Sequence, residues 1–176
     1  MSVFLAVDLD APSRMEAVTL VETHRARVPA KWLRADKLHC TLVFLAHPSA
    51  DQLAAWLPLI DALALRHRPF DLQLRGAGTF VTPRAPSVLW LGVGGELERL
   101  AALQRDAVAV LGGEPHERPF TPHVTLARAK LPGAFDSLAG ELGEFVSGAF
   151  RVRALSLYES NNEVYRVMHS SPLPES

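Results

Sequence analysis

Short apolar, β-branched runs alternate along this chain with stretches whose apolar residues recur at helical spacing, so strands and helices follow one another in turn. Residues 3–9 predict a strand, and Asp10-Ala11-Pro12-Ser13 supplies the N-cap and first turn of a helix to about Arg27, closed by Pro29. Residues 37–46 predict a second strand. Pro48-Ser49-Ala50-Asp51 opens a helix to about His67 with Leu53, Trp56, Leu57 and Ile60 on its apolar stripe. Residues 70–74 return to strand, then Gly76, Gly78, Pro83 and Pro86 mark a turn-rich link. A buried strand over 87–93 follows, broken by Gly94-Gly95. A helix over 96–111 ends at Gly112-Gly113, and His123 begins a strand to about Lys130. A short helix over 135–145 precedes strands over 150–159 and 164–169, joined by the hairpin signal Asn161-Asn162.

The order strand, helix, strand, helix, strand runs twice. Val3-Phe4-Leu5 lies 85 residues before Val88-Leu89-Trp90, and His39 lies 84 before His123. Two features at nearly one offset predict an internal duplication with pseudo-twofold symmetry. No linker separates the copies, so residues 1–176 are expected to form a single domain of two halves, about 1–86 and 87–176.

Each half carries the same polar signature inside an apolar strand: His39-Cys40-Thr41-Leu42-Val43 and His123-Val124-Thr125-Leu126-Ala127. Strand side chains alternate between faces, so each His shares a face with its Thr while Cys40, Leu42, Val124 and Leu126 point the other way. Two such strands side by side would surround one small anion with two imidazoles and two hydroxyls, and a phosphate is the natural occupant. Arg128 lies five residues beyond His123, nominally on the opposite face, so a strand end or bulge must re-aim it.

Composition narrows the ligand. With 48% hydrophobic and 21% charged residues the chain is that of a globular protein with a real core. A net charge of −1 argues against a long duplex as the main ligand, whereas one or two phosphates need only local clusters. Lys31, Arg34 and Lys37 before the first motif, and Arg118, Arg128 and Lys130 around the second, are such clusters. The single cysteine, Cys40, forms no internal disulfide and is expected to be a small buried hydrophobe. Residues 1–10 lack a basic start and turn acidic after six apolar residues, so neither export nor membrane insertion is expected, and a cytoplasmic monomer is.

The phrases Val3-Phe4-Leu5-Ala6-Val7-Asp8-Leu9, Leu38-His39-Cys40-Thr41-Leu42-Val43-Phe44-Leu45, Val88-Leu89-Trp90-Leu91-Gly92-Val93 and Arg118-Pro119-Phe120-Thr121-Pro122-His123-Val124-Thr125-Leu126-Ala127-Arg128 resemble the 2H phosphoesterase superfamily. The closer resemblance is to its RNA 2′,3′-cyclic phosphodiesterase branch, the 2′-5′ RNA ligase family. It implies a bilobal, duplicated α+β fold in which two antiparallel sheets line a central cleft with helices outside. It implies His39 and His123 as catalytic residues, Thr41, Thr125 and Arg128 as phosphate contacts, and a reaction that opens RNA 2′,3′-cyclic phosphate ends to 2′-phosphomonoesters. The reverse reaction, with an RNA 5′-hydroxyl in place of water, would make a 2′-5′ linkage. One departure stands out: that branch usually has Gly-Glu after the first motif strand, where this chain has Ala46-His47.

Two imidazoles suit such chemistry because a pKa of about 6.5 lets one act as base and the other as acid at one pH, without metal or cofactor. Which is which stays open in the sequence; His39 as the acid toward the 3′ oxygen and His123 as the base for water is the working assignment. Arg118 and Phe120 stand at a proline-bounded turn, equally suited to substrate contact and to loop packing. Tyr158 is a further candidate to approach the cleft, whereas Phe4 and Trp32 are expected in the core or at its rim. Other readings are a phosphodiesterase for ADP-ribose cyclic phosphate or 2′,5′-linked oligoadenylate, and a non-catalytic RNA-end binder. A zinc site would need a third ligand, and neither motif offers one on the histidine face.

Overall fold

Helices cover one face of a curled antiparallel sheet in the computed structural model, which describes residues 1–113, 119–161 and 164–175. The described strands are β1 (Ser2–Asp8), β2 (Lys31–Trp32), β3 (His39–Phe44), β4 (Phe70–Phe80), β5 (Ser87–Gly95), β6 (His123–Ala129), β7 (Phe150–Val152), β8 (Ala154–Asn161) and β9 (Val164–Pro172). The helices are α1 (Ala11–His24), α2 (Ala50–Leu65), α3 (Leu97–Leu111) and α4 (Asp136–Glu141). None of the described helices is long and apolar enough to cross a membrane.

Local chemistry sets the helix starts. Asp10 caps α1 by accepting from the Ser13 amide, and Ser49 and Gln52 form a reciprocal capping box at α2. Their apolar stripes, with Ala17, Val21, Ile60, Leu63, Leu100, Leu103 and Ala107, join Cys40, Leu42, Val124 and Leu126 in one buried cluster. The helices therefore occupy the face that the apolar members of both motifs point to, and the His-Thr face is left for the cleft.

The strand order is β7-β4-β5-β6-β3-β1-β8-β9, with β2 added beside β6. It divides into two four-stranded antiparallel sheets, β7-β4-β5-β6 and β3-β1-β8-β9, that meet through one residue pair, Cys40 with Val124. This is the expected α+β arrangement of two sheets about a cleft. Each sheet draws on both halves of the sequence: β4 pairs with β5, while β8 and β9 extend the sheet begun by β1 and β3.

The strand registers correct three sequence readings. The link expected after residue 74 is strand: β4 continues through Gly76 and Gly78 with a bulge before Ala77, and Gly78 is required there because a Cβ would lie 2.4 Å from the Trp90 ring. The strand expected over 150–159 breaks at Arg153 into β7 and β8, which join different sheets. Finally, Phe4, Ala6 and Asp8 pair with Phe44, Thr41 and His39, as Val88, Trp90 and Gly92 pair with Arg128, Thr125 and His123. The repeat offset is thus 84 in both strands, and Phe4 corresponds to Val88 rather than to Leu89.

Candidate active site

The Cys40–Val124 pair fixes how the two motifs face each other. Continuing this antiparallel register by one residue in each direction sets His39 opposite Thr125 and His123 opposite Thr41. Because Cys40 and Val124 are buried toward the helices, all four flanking side chains share the cleft face.

Both strands also bulge at the same motif position. Leu42 is skipped between the pairs Leu5–Val43 and Ala6–Thr41, and Leu126 between Leu89–Ala127 and Trp90–Thr125. The extra residue shifts the alternation by one, so Leu126 and Ala127 are both buried and Arg128 turns to the face of His123 and Thr125. The five-residue offset noted in the sequence is therefore compatible with a shared face. The corresponding residue of the first copy is Phe44.

Each imidazole is clamped in the same way. The Nδ1–H of His39 donates to the Lys37 carbonyl and that of His123 to the Thr121 carbonyl, each at 2.7 Å. A backbone carbonyl can only accept, so Nδ1 carries the proton and Nε2 is the lone-pair nitrogen of each neutral ring. Thr41 donates its hydroxyl to His39 Nε2 at 2.8 Å.

The surroundings differ. Phe4 stacks on the His39 ring with centroids 4.6 Å apart, and Tyr158 in turn stacks on Phe4 at 5.3 Å. Tyr165 presents an edge contact to His39 at 5.4 Å. Asp8, paired with His39 across β1 and β3, accepts from the hydroxyls of Ser156 and Tyr158. Burial pushes the His39 pKa down to about 4; the Lys37 carbonyl and the Asp8 charge oppose this, while His123 and Arg128 add to the lowering. Burial and the bond to Asp8 hold the Tyr158 hydroxyl protonated, well above its ordinary range.

His123 instead meets Phe80 edge-on at 4.9 Å and Trp90 at 5.9 Å, with Gly92 in the place of Asp8. The Trp90 Nε1–H is buried without a hydrogen-bond partner among the described residues. Burial pushes the Cys40 thiol up to about 12, although the His123 backbone amide opposes the shift, so Cys40 is the inert buried residue expected.

Of the other sequence candidates, Phe120 is half-buried and packs against the core, and Arg118 lies outside the described residues. Trp32 packs against the core beside Phe135. Phe4, Asp8 and Tyr165 complete the His39 environment but come from β1 and β9, and no spacing in the sequence joins them to the motif. Among the described residues no three His, Cys, Asp or Glu side chains gather as a metal site requires.

The family model for the 2′-5′ RNA ligase superfamily matches residues 11–163. The chain belongs to the 2′-5′ RNA ligase superfamily. It is 36% identical over 163 residues to the RNA 2′,3′-cyclic phosphodiesterase of Methanothermobacter thermautotrophicus, covering 89% of this chain and 88% of that protein. A second member, the Escherichia coli RNA 2′,3′-cyclic phosphodiesterase, is 37% identical over 128 residues, 71% of this chain and 70% of the relative. The crystal structure of E. coli LigT complexed with 3′-AMP superposes with a TM-score of 0.74 at 28% identity, covering 98% of this chain and 97% of LigT. Superfamily membership and this likeness agree with the two-sheet α+β fold described above.

Proposed function

We propose that this superfamily member is a metal-independent RNA 2′,3′-cyclic phosphodiesterase that releases 2′-phosphomonoesters, with His39 and His123 as the acid–base pair. The observation that carries the reading is the matched Nδ1 clamp, which leaves a lone-pair Nε2 on each of two histidines sharing one face. The names of its relatives support the same substrate class.

In this reading one imidazole takes a proton from water as the oxygen attacks phosphorus. The P–O3′ bond breaks, and the departing O3′ receives a proton from the other imidazole, so no proton is gained or lost overall. Thr41 and Thr125 donate to non-bridging oxygens and Arg128 offsets the developing charge. Residues 1–176 act as one catalytic domain, each half supplying one histidine. Run backwards with an RNA 5′-hydroxyl, the same site forms a 2′-5′ linkage.

The working assignment makes His123 the base and His39 the acid. His39 is neutral at pH 7, so as the acid it must take up a proton with the substrate, whose negative charge beside the ring favours the imidazolium. That neutral state also favours the opposite assignment, with His39 as base. A substrate with sulfur in place of O3′ separates the two, since a thiolate leaves without protonation. Rescue of His39→Ala supports His39 as acid, and rescue of His123→Ala reverses the roles.

The reaction itself is tested with a short RNA ending in a 2′,3′-cyclic phosphate, incubated in EDTA and followed by phosphorus NMR. A 2′-phosphate product is expected. A 3′-phosphate would invert the leaving group, and activity lost in EDTA but restored by zinc would contradict the metal-free mechanism.

A further inference from the structure

A cavity of about 300 Å³ opens beside His39, with Lys31, Arg34, Lys37, Arg128, Ser160 and Tyr165 in its wall. Four of these carry positive charge, and no carboxylate lines the cavity among the described residues. The strand pairing itself juxtaposes two of them: β2 is added to β6 so that Lys31 stands directly opposite Arg128. Like charges in that position destabilise a sheet unless something offsets them. Lys37 is only 9% exposed, with its Nζ held 5.0 Å above the Tyr165 ring. Arg34, at the rim, also pairs with the exposed Asp36 at 3.2 Å.

The cavity adjoins the reacting centre. Tyr165 forms its wall and also touches the His39 ring, and the Lys37 carbonyl is the group that clamps His39. Arg128 lines it while its charge acts on His39. A ligand here would lie a short step from a phosphate held between the histidines. Successive phosphates of an RNA strand are separated by a single nucleoside.

We propose that this cavity is a second phosphate site, which takes the phosphodiester on the 5′ side of the terminal nucleotide and so favours oligonucleotide ends over mononucleotides. The proposal rests on the cyclic phosphodiesterase reading and adds the substrate length that this chain selects. Lys31 and Arg34 hold the second phosphate and Ser160 offers a hydroxyl, while the reacting phosphate remains with the two motifs.

The test compares three substrates: adenosine 2′,3′-cyclic phosphate, its 5′-phosphorylated form, and the dinucleotide ApA with the same cyclic end. Wild type is expected to show a KM for the dinucleotide about 10-fold below that for the plain mononucleotide, an advantage that shrinks as salt rises. Lys31→Gln, and more fully Lys31→Gln with Arg34→Gln, should abolish that advantage while leaving kcat and the mononucleotide KM within about twofold. Lys37 is not substituted, because its backbone clamps His39.

Equal KM values for mononucleotide and dinucleotide in the wild type would overturn the proposal, as would a double variant that raises both by the same factor. A 5′-phosphorylated mononucleotide that matches the dinucleotide is the expected result, because the two carry a phosphate at the same position; one that binds no better than the plain mononucleotide would assign the advantage to the second nucleoside and overturn the proposal. Calorimetric affinities for adenosine 2′-phosphate and for ApA 2′-phosphate provide a readout that needs no turnover. Absence of hydrolysis with all three substrates would fail the function reading, while the affinity difference and its loss in the double variant would still decide the second site.

Discussion

The two His-x-Thr strands share a backbone and differ in almost everything placed around it. Both clamp Nδ1 on the carbonyl two residues earlier, both bulge at the leucine after the threonine, and both pair with a partner strand at an offset of 84. Yet the first copy has Phe4, Asp8 and Phe44 where the second has Val88, Gly92 and Arg128. The first histidine is enclosed by aromatic rings and neutral at pH 7, whereas the second stands beside Phe80 and Trp90 with the cation of its copy on the same face. The two strands keep what aims each imidazole and differ in what surrounds it. That division is what two-histidine catalysis needs, because a symmetrical pair would hold two equivalent protonation states rather than one acid and one base.

Removing either imidazole of this pair is the harshest way to break the comparison. His39→Ala and His123→Ala are each expected to lower kcat by about 10² to 10⁴-fold, measured on a 2′,3′-cyclic phosphate end. Their stabilities should part company: His39→Ala empties a ring-lined space under Phe4 and lowers Tm clearly more than His123→Ala does. Equal Tm losses would show that the two environments are less different than the contacts indicate.

A milder step removes one hydroxyl at a time. Thr41→Val and Thr125→Val should each reduce turnover by up to about 10²-fold to 10³-fold, the range for losing one donor to a developing charge. Only Thr41→Val should also alter the His39 titration, since Thr41 alone is seen bonded to that ring's Nε2. Histidine NMR on both variants checks this.

Protonation sharpens the contrast further. The His39 resonance should titrate near pH 4 in the free protein, below the ordinary histidine value of about 6.5. Asp8→Asn should move it lower, because the Asp8 charge supports the imidazolium, and bound phosphate should move it higher. With His39 as the acid, the alkaline limb of kcat/KM, which reports the free enzyme, should follow; with His39 as the base, the acid limb would. Between the unfolded and folded pKa values the unfolded chain binds more protons at His39, so stability falls as pH drops from about 6.5 toward 4. That slope should be reduced in His39→Gln.

The smallest effect concerns Ala46, the first of the two residues, Ala46-His47, where the first motif departs from the pattern it resembles. Ala46 has φ 56°, the left-handed region that favours glycine, and this is the position at which the resembling branch usually has Gly. Ala46→Gly is expected to stabilise the fold by about 0.5–1 kcal/mol and to leave turnover unchanged; denaturant melts of the two proteins measure it.

The parts of this site that were legible in the sequence are those fixed by local spacing. Period-2 alternation put His39 with Thr41 and His123 with Thr125, and the cap residues Asp10 and Ser49 marked the starts of α1 and α2. What local spacing could not carry is the non-local pairing of strands. β8 comes from the C-terminal end yet lies beside β1, with β9 beside β8, so Tyr158 and Tyr165 reach His39 from more than 100 residues away. Glycine misled in β4 for a physical reason: Gly78 reads as a turn residue, but its missing Cβ serves to seat the Trp90 ring within a continuous strand. The bulges at Leu42 and Leu126 were visible only as a need, through the awkward offset of Arg128.

The central claim is that two unlike histidines work as one unit, and the most direct measurement is the turnover of His39→Ala, His123→Ala and the double variant on the same RNA 2′,3′-cyclic phosphate. If they act as a pair, the double variant is no slower than the slower single variant, because either loss already disables the proton relay. A double variant slower by the product of the two single effects would contradict the account, since each histidine would then contribute independently.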